Sequence, residues 1–231
     1  MAYTTIDDPS AHFQTKIYTG NGSTNALTFD GNSDMQPDWL WTKCRSDTFD
    51  PIMRDSSRGI DKRLLVHATD AEGGATGTTA FGSDGFTLDS TNTVNKNTDT
   101  YVGWAWKANG GTTSTNDASA TSVGTIDSVI QANTTAGFSI VTHTGSGSAG
   151  NIAHGLGAVP EWVVTKNRSQ AASWAVYHVG TGAEYYLELD TNDGRETASS
   201  VWGDTTPSST TFRVGGANTK NNSSSNNFVS Y

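Results

Sequence analysis

Apolar and polar residues alternate along short stretches of this chain, and the stretches come in two matching sets. In Trp39-Leu40-Trp41-Thr42-Lys43 both tryptophans fall on one face of an extended backbone. In Glu161-Trp162-Val163-Val164-Thr165-Lys166 the same face carries Trp162 and Val164. Tyr101-Val102-Gly103-Trp104-Ala105-Trp106 divides into Tyr101, Gly103 and Ala105 on one side and Val102, Trp104 and Trp106 on the other. Turns rich in Gly, Asn and Asp separate these runs, which predicts antiparallel strands packed as a sandwich or barrel. No window of about 11 residues or more combines a helical period with caps, so helix is expected to be scarce.

The match between the two sets is long. Pro37-Asp38-Trp39 through Arg45-Ser46 returns as Pro160-Glu161-Trp162 through Arg168-Ser169. Tyr18-Thr19-Gly20-Asn21-Gly22-Ser23 corresponds to His143-Thr144-Gly145-Ser146-Gly147-Ser148, Phe86-Thr87-Leu88 to Phe212-Arg213-Val214, and Tyr101-Val102-Gly103-Trp104 to Phe228-Val229-Ser230-Tyr231. The offset stays at about 125 residues, so order, spacing and side-chain type recur together, as in a repeated folding module. The expected architecture is all-β: two tandem antiparallel β-sandwich modules, jelly-roll or concanavalin-like, related by internal duplication. Residues 1–15 read as an N-terminal arm with Phe13 as an anchor, 16–108 as the first sandwich, 109–137 as a linker with one short strand, and 138–231 as the second sandwich.

Burying a tryptophan removes roughly 150–250 Å² from water, about 4–6 kcal/mol before entropy. Trp39 and Trp162 are therefore the expected core anchors of the two modules. Phe49 and Trp174 lie at comparable distances from their Arg-Ser pairs and are expected to close the modules. Trp202 has no counterpart in the first copy, which makes it the candidate for an exposed ligand contact. The copies also end differently: the first runs on through Ala105-Trp106-Lys107-Ala108, whereas the second stops at Tyr231, inside the corresponding strand. The expectation is that this strand is completed by a neighbouring subunit, a strand end of this kind being a docking point for another chain, or that the chain is a shortened form of a longer protein.

Candidate chemistry is thin. Gly145-Ser146-Gly147-Ser148-Ala149-Gly150 has the spacing of a dinucleotide loop, but more glycines and Pro160 follow where a helix is required, so a glycine hairpin is expected. The five histidines form no short pair at ligand spacing, and no aspartate run has the calcium-loop pattern, so no metal or cofactor is expected. No strained Gly-x-Ser-x-Gly elbow is present. Cys44 is the only cysteine and its counterpart is Asn167, which predicts a small buried thiol rather than a nucleophile. The formal charge of −9, with few and scattered basic residues, argues against binding nucleic acid or an anionic membrane. No run approaches 18 apolar residues, and the N-terminus has no signal-peptide pattern. Surfaces rich in Ser, Thr and Asn suit a carbohydrate-binding sandwich, as they suit any all-β surface.

The opening Met1-Ala2-Tyr3-Thr4-Thr5-Ile6-Asp7-Asp8-Pro9-Ser10, the stretch Gln36-Pro37-Asp38-Trp39 through Arg45-Ser46, Ser83-Asp84-Gly85-Phe86-Thr87-Leu88 and Asp99-Thr100-Tyr101-Val102-Gly103-Trp104 resemble virion proteins of marine bacteriophages, including cyanophage-type viruses. So do Thr135-Ala136-Gly137-Phe138-Ser139-Ile140-Val141, His154-Gly155-Leu156-Gly157 and Pro160-Glu161-Trp162. The resemblance implies a structural, non-enzymatic component of a tail fibre or other surface appendage, used in assembly and host attachment. Its implied partners are other virion proteins, further copies of itself (a trimer by analogy) and a host surface glycan. Its place would be the virion, assembled in the host cytoplasm. A lectin-like receptor module or a capsid decoration protein is the alternative, and a glycan depolymerase stands behind both.

Overall fold

The computed structural model describes residues 6–74, 76–197 and 199–231. The chain is all-β with antiparallel sheets, and it divides into two compact units. The first comprises the chain up to Leu65 together with Gly73–Gly111, and the second comprises Val66–Glu72 together with Thr112–Tyr231. Helix among the described residues is confined to single turns: Pro9–Ala11, Asn92–Asn95, Ala118–Thr121 and Ser199–Trp202. None is long and apolar enough to cross a membrane.

The first unit holds β1 (Phe13–Thr19), β2 (Asn25–Leu27), β3 (Trp39–Cys44), β4 (Ile52–Asp55), β5 (Leu64–Leu65), β6 (Thr78–Gly82), β7 (Gly85–Leu88) and β8 (Thr100–Trp106). They form a five-stranded sheet, β1-β8-β3-β4-β5, and a three-stranded sheet, β2-β7-β6. Tyr18, Leu40, Cys44, Ile52, Tyr101 and Ala105 from the larger sheet meet Phe86 and Leu88 from the smaller in one core. Cys44 is buried there, as its sequence context predicts.

The second unit holds β9 (Ser114–Asn116), β10 (Ser128–Asn133), β11 (Phe138–Thr144), β12 (Gly150–Ala153), β13 (Trp162–Asn167), β14 (Ala175–His178), β15 (Tyr185–Glu188), β16 (Glu196–Thr197), β17 (Thr211–Val214) and β18 (Asn227–Ser230). The sheets are β16-β15-β14-β13-β18-β11-β10-β9 and β12-β17. The run β11-β18-β13-β14-β15 repeats the strand order β1-β8-β3-β4-β5 of the first unit.

Register recurs along with order. Thr42, Lys43 and Cys44 face Gly103, Val102 and Tyr101, while Thr165, Lys166 and Asn167 face Ser230, Val229 and Phe228. Tyr18 and Tyr101 stack at 5.2 Å, and His143 and Phe228 stack at 5.1 Å in the corresponding place. Gly20 and Gly145 are needed for the same reason. A Cβ would lie 2.2 Å from the Lys96 carbonyl oxygen in one case and 2.2 Å from that of Ser223 in the other.

Two boundaries differ from those expected. The first strand starts at Phe13, inside the expected arm, because Phe13 packs against Trp106 with ring centroids 4.4 Å apart. The segment read as a linker supplies β9 and β10, which extend the larger sheet of the second unit, with Ile130 in its core. The one short strand expected there is β10, while the polar Ser114–Asn116 gave no apolar signal for β9.

Candidate functional site

Alternation in β3 sends Leu40, Thr42 and Cys44 toward the core and Trp39 and Trp41 to the opposite face. Trp39 is nevertheless only 7% exposed. Its ring meets that of Trp106 at 4.6 Å and that of Trp41 at 6.1 Å, while Trp41 meets Trp104 at 5.7 Å. The burial expected for Trp39 is therefore present, but it comes from an aromatic ladder on the outer face. Beside it the Asp38 carboxylate is fully buried. It accepts the backbone N–H groups of Ala108 (2.8 Å), Gly110 (2.8 Å) and Gly111 (2.7 Å) and the Ser56 hydroxyl (2.7 Å).

Trp162 stands at the same register in the second unit and behaves differently. It is 56% exposed, so the expected core anchor is a surface residue. The reason lies in the neighbouring strand. β8 reaches Trp106, opposite Trp39, whereas the corresponding ladder closes with Val164 and Tyr231, which exchange two backbone hydrogen bonds of 2.9 Å. No residue of β18 faces Trp162. Its remaining cross-strand neighbour is His178, and the Val179 N–H donates to the Glu161 carbonyl at 2.8 Å. Val159 and Val179 are also half exposed, so Val159, Trp162 and Val179 are the large apolar side chains that the second unit shows to solvent among its described residues. An exposed tryptophan paired across the strands with an exposed imidazole is suited to contact rather than to catalysis.

Trp202 corrects the opposite expectation. It is 2% exposed, packs edge-on to Tyr177 at 6.2 Å and belongs to the core of the second unit. The single turn Ser199–Trp202 carries it there with Val201, and nothing at the sequence level distinguished such a turn from a loop tip. Phe49 is partly buried against the first core and Trp174 is fully buried, as expected of residues that close a module.

A groove in the second unit is lined by Thr115, Asp127, Thr142, Asn227 and Arg168 together with the apolar Ile126 and Val129. The Arg168 guanidinium is held by Glu72 through Nε at 2.8 Å and a second nitrogen at 3.1 Å. Asp127 is the single carboxylate of the groove lining, and it accepts the Ala118 N–H at 2.9 Å. A paired-carboxylate hydrolase would need a second acid there. Elsewhere Glu188, Asp193 and Glu196 converge with oxygens within 4.8 Å of one another. Glu188 is bound by Lys220 at 3.2 Å and Glu196 accepts the Tyr186 hydroxyl, so two of the three acids already have partners. The triad joins β15, a turn and β16, which is why no short motif announced it.

Over residues 8–231 the sequence fits the family described as a domain of unknown function, DUF7483. The chain belongs to the DUF7483 family. No curated protein and no solved structure matches it. The DUF7483 match spans both compact units.

Proposed function

We propose that this chain is a structural component of a bacteriophage virion, placed in a tail fibre or other surface appendage and used in assembly and host attachment. Two sandwiches with one strand order, best explained by internal duplication, suit a protein that multiplies contact surfaces rather than one that builds a single asymmetric site. The observation that carries the reading is the exposed Trp162, whose counterpart Trp39 is buried in the first unit. Other virion proteins and further copies of the chain are the proposed partners. The location in the virion follows from the sequence resemblance.

A second reading is recognition of a host glycan, favoured by the hydroxyl-, amide- and carboxylate-lined groove around Asp127 and Asn227. The test has three arms. Antibodies against the chain should decorate intact phage particles of the encoding virus under immunogold microscopy. The purified chain should release no reducing ends from host polysaccharide. Host-cell binding that survives Trp162→Ser but is lost in Asn227→Ala with unchanged melting would favour glycan recognition at the groove. Particles left unlabelled would overturn the virion assignment.

A further inference from the structure

We propose that the first unit binds an acidic segment of a partner protein through Lys43, Arg45 and Phe49, in the way that the second unit holds residues 69–72 of its own chain. The inference rests on the reading of the chain as an assembly component and names the chemistry of one partner.

The second unit shows the bound form. Residues 69–72 form neither helix nor strand, and groups on β13 and in the turn after it hold them. The Thr69 carbonyl accepts the Lys166 ammonium at 2.7 Å and the Ala172 N–H at 2.8 Å. Three residues on, the Glu72 N–H donates to the Arg168 carbonyl at 3.0 Å. The Glu72 carboxylate takes the Arg168 guanidinium through two nitrogens, at 2.8 and 3.1 Å.

The first unit repeats the receiving groups. The register that sets Lys166 opposite Val229 sets Lys43 opposite Val102. The Arg168 N–H donates to the Asn227 carbonyl at 2.8 Å, as that of Arg45 donates to Thr100 at 2.7 Å. Each lysine also reaches the carbonyl six positions ahead, Lys166 that of Ala172 and Lys43 that of Phe49 at 2.7 Å. That contact aims the ammonium and leaves it further N–H donors. Only the occupant is missing. Among the described residues, Phe49 is the one hydrogen-bond partner of the Lys43 ammonium, and the Phe49 N–H, the Arg45 carbonyl and the Arg45 guanidinium have none. Exposure follows the same division. Lys166 and Val229 are fully buried, whereas Lys43 and Val102 are partly open and Arg45 is exposed. Ile17, opposite Val102, is 62% exposed.

The empty copy sets the chemistry of its ligand. Any residue can supply the carbonyl shared by Lys43 and the Phe49 N–H, so selection falls on the side chain three residues later. A carboxylate there meets Arg45, whose planar fork suits two parallel hydrogen bonds, with the Lys43 charge nearby in support. Asp47, an acid close in sequence, is already bound by Lys96 at 2.7 Å.

The probe is a fluorescein-labelled peptide with the sequence of residues 66–73, Val-His-Ala-Thr-Asp-Ala-Glu-Gly, titrated with the full chain and followed by anisotropy. Saturable binding is expected, weaker at higher salt. Glu72→Gln in the peptide should weaken it several-fold. Arg45→Met in the chain, a change at an exposed side chain, should weaken it about tenfold. Arg168→Met should bind the peptide as the parent does, because the second site is filled in cis. Absence of saturable binding, equal binding of the glutamine peptide, or undiminished binding by Arg45→Met would each overturn the proposal. Binding lost in Arg168→Met but kept in Arg45→Met would place the peptide on the second unit and overturn it likewise. None of these outcomes bears on whether antibodies label phage particles, so the two readings fail separately.

Discussion

His143 holds in the second unit the place that Tyr18 holds in the first. The Tyr18 hydroxyl donates to the Val94 carbonyl at 2.8 Å, and His143 Nε2 donates to the Asn221 carbonyl at 3.1 Å. A carbonyl accepts only, which puts the proton on Nε2 and leaves Nδ1 buried without a partner among the described residues. Burial lowers the imidazole pKa from 6.5 to about 4, against an opposing pull from Asn221. Between those values the unfolded chain binds a proton that the folded chain does not. Stability therefore falls as the pH drops from 6.5 toward 4, by about 3 kcal/mol at most. Denaturant melts of His143→Phe across this window should show a flatter dependence than the parent. Some slope should remain from His154, whose pKa burial also lowers. Carboxylates with depressed pKa, such as Asp117, lose their contribution only below their unfolded value of 3.8.

At the scale of the element, the turns after β1 and β11 are each fixed by a buried asparagine. Asn95 Oδ1 accepts the Asn21 N–H at 3.0 Å, and its Nδ2 donates to the carbonyls of Ser23 and Asp89. Asn222 Oδ1 accepts the Ser146 N–H at 2.9 Å, and its Nδ2 donates to Ser148 (2.7 Å) and Gly215 (2.6 Å). The Gly22 and Gly147 amides donate to the carbonyl oxygens of these same two asparagines. One acceptor and two donors in a single planar group match three backbone groups in each unit. Asn222→Asp keeps the acceptor but faces two carbonyl oxygens with a carboxylate. It should lower stability by about 3 kcal/mol, close to the loss in Asn222→Ala, as measured by urea unfolding followed by circular dichroism. Near-parental stability in Asn222→Asp would remove the clamp from the account.

For the whole molecule, the main departure from a plain tandem is the membership of Val66–Glu72 in the second unit. The Lys166 ammonium is buried and donates to the carbonyls of Thr69 (2.7 Å) and Ala172. Burial brings its pKa down to about 8, with Asp190 and Asp70 opposing. The Ala172 N–H returns a bond to Thr69 at 2.8 Å, and Glu72 grips Arg168. A segment encoded in the first half thus contributes to the stability of the second. The Glu72–Arg168 pair is mostly shielded, so a double-mutant cycle of Glu72→Gln with Arg168→Met should report coupling of about 1 kcal/mol, assigned to the second unit's transition. Additive losses would make the pair incidental.

The all-β class with antiparallel strands and the scarcity of helix were legible in the residues, because a period of two and glycine turns are local properties. The burial of Phe49 and Trp174 followed from their matched spacing to the Arg-Ser pairs, and that of Cys44 from its status as a lone cysteine with Asn167 as counterpart. Trp39, Trp162 and Trp202 could not be sorted that way. Trp39 is covered by Trp106, Trp162 stands where β18 supplies no residue, and Trp202 is carried into the core by one helical turn. Burial belongs to neighbours brought from remote sequence, and neighbours are assigned by tertiary structure. The second-unit role of residues 66–72 and the meeting of Glu188, Asp193 and Glu196 were decided at that level too, since each depends on long-range pairing that no local pattern encodes.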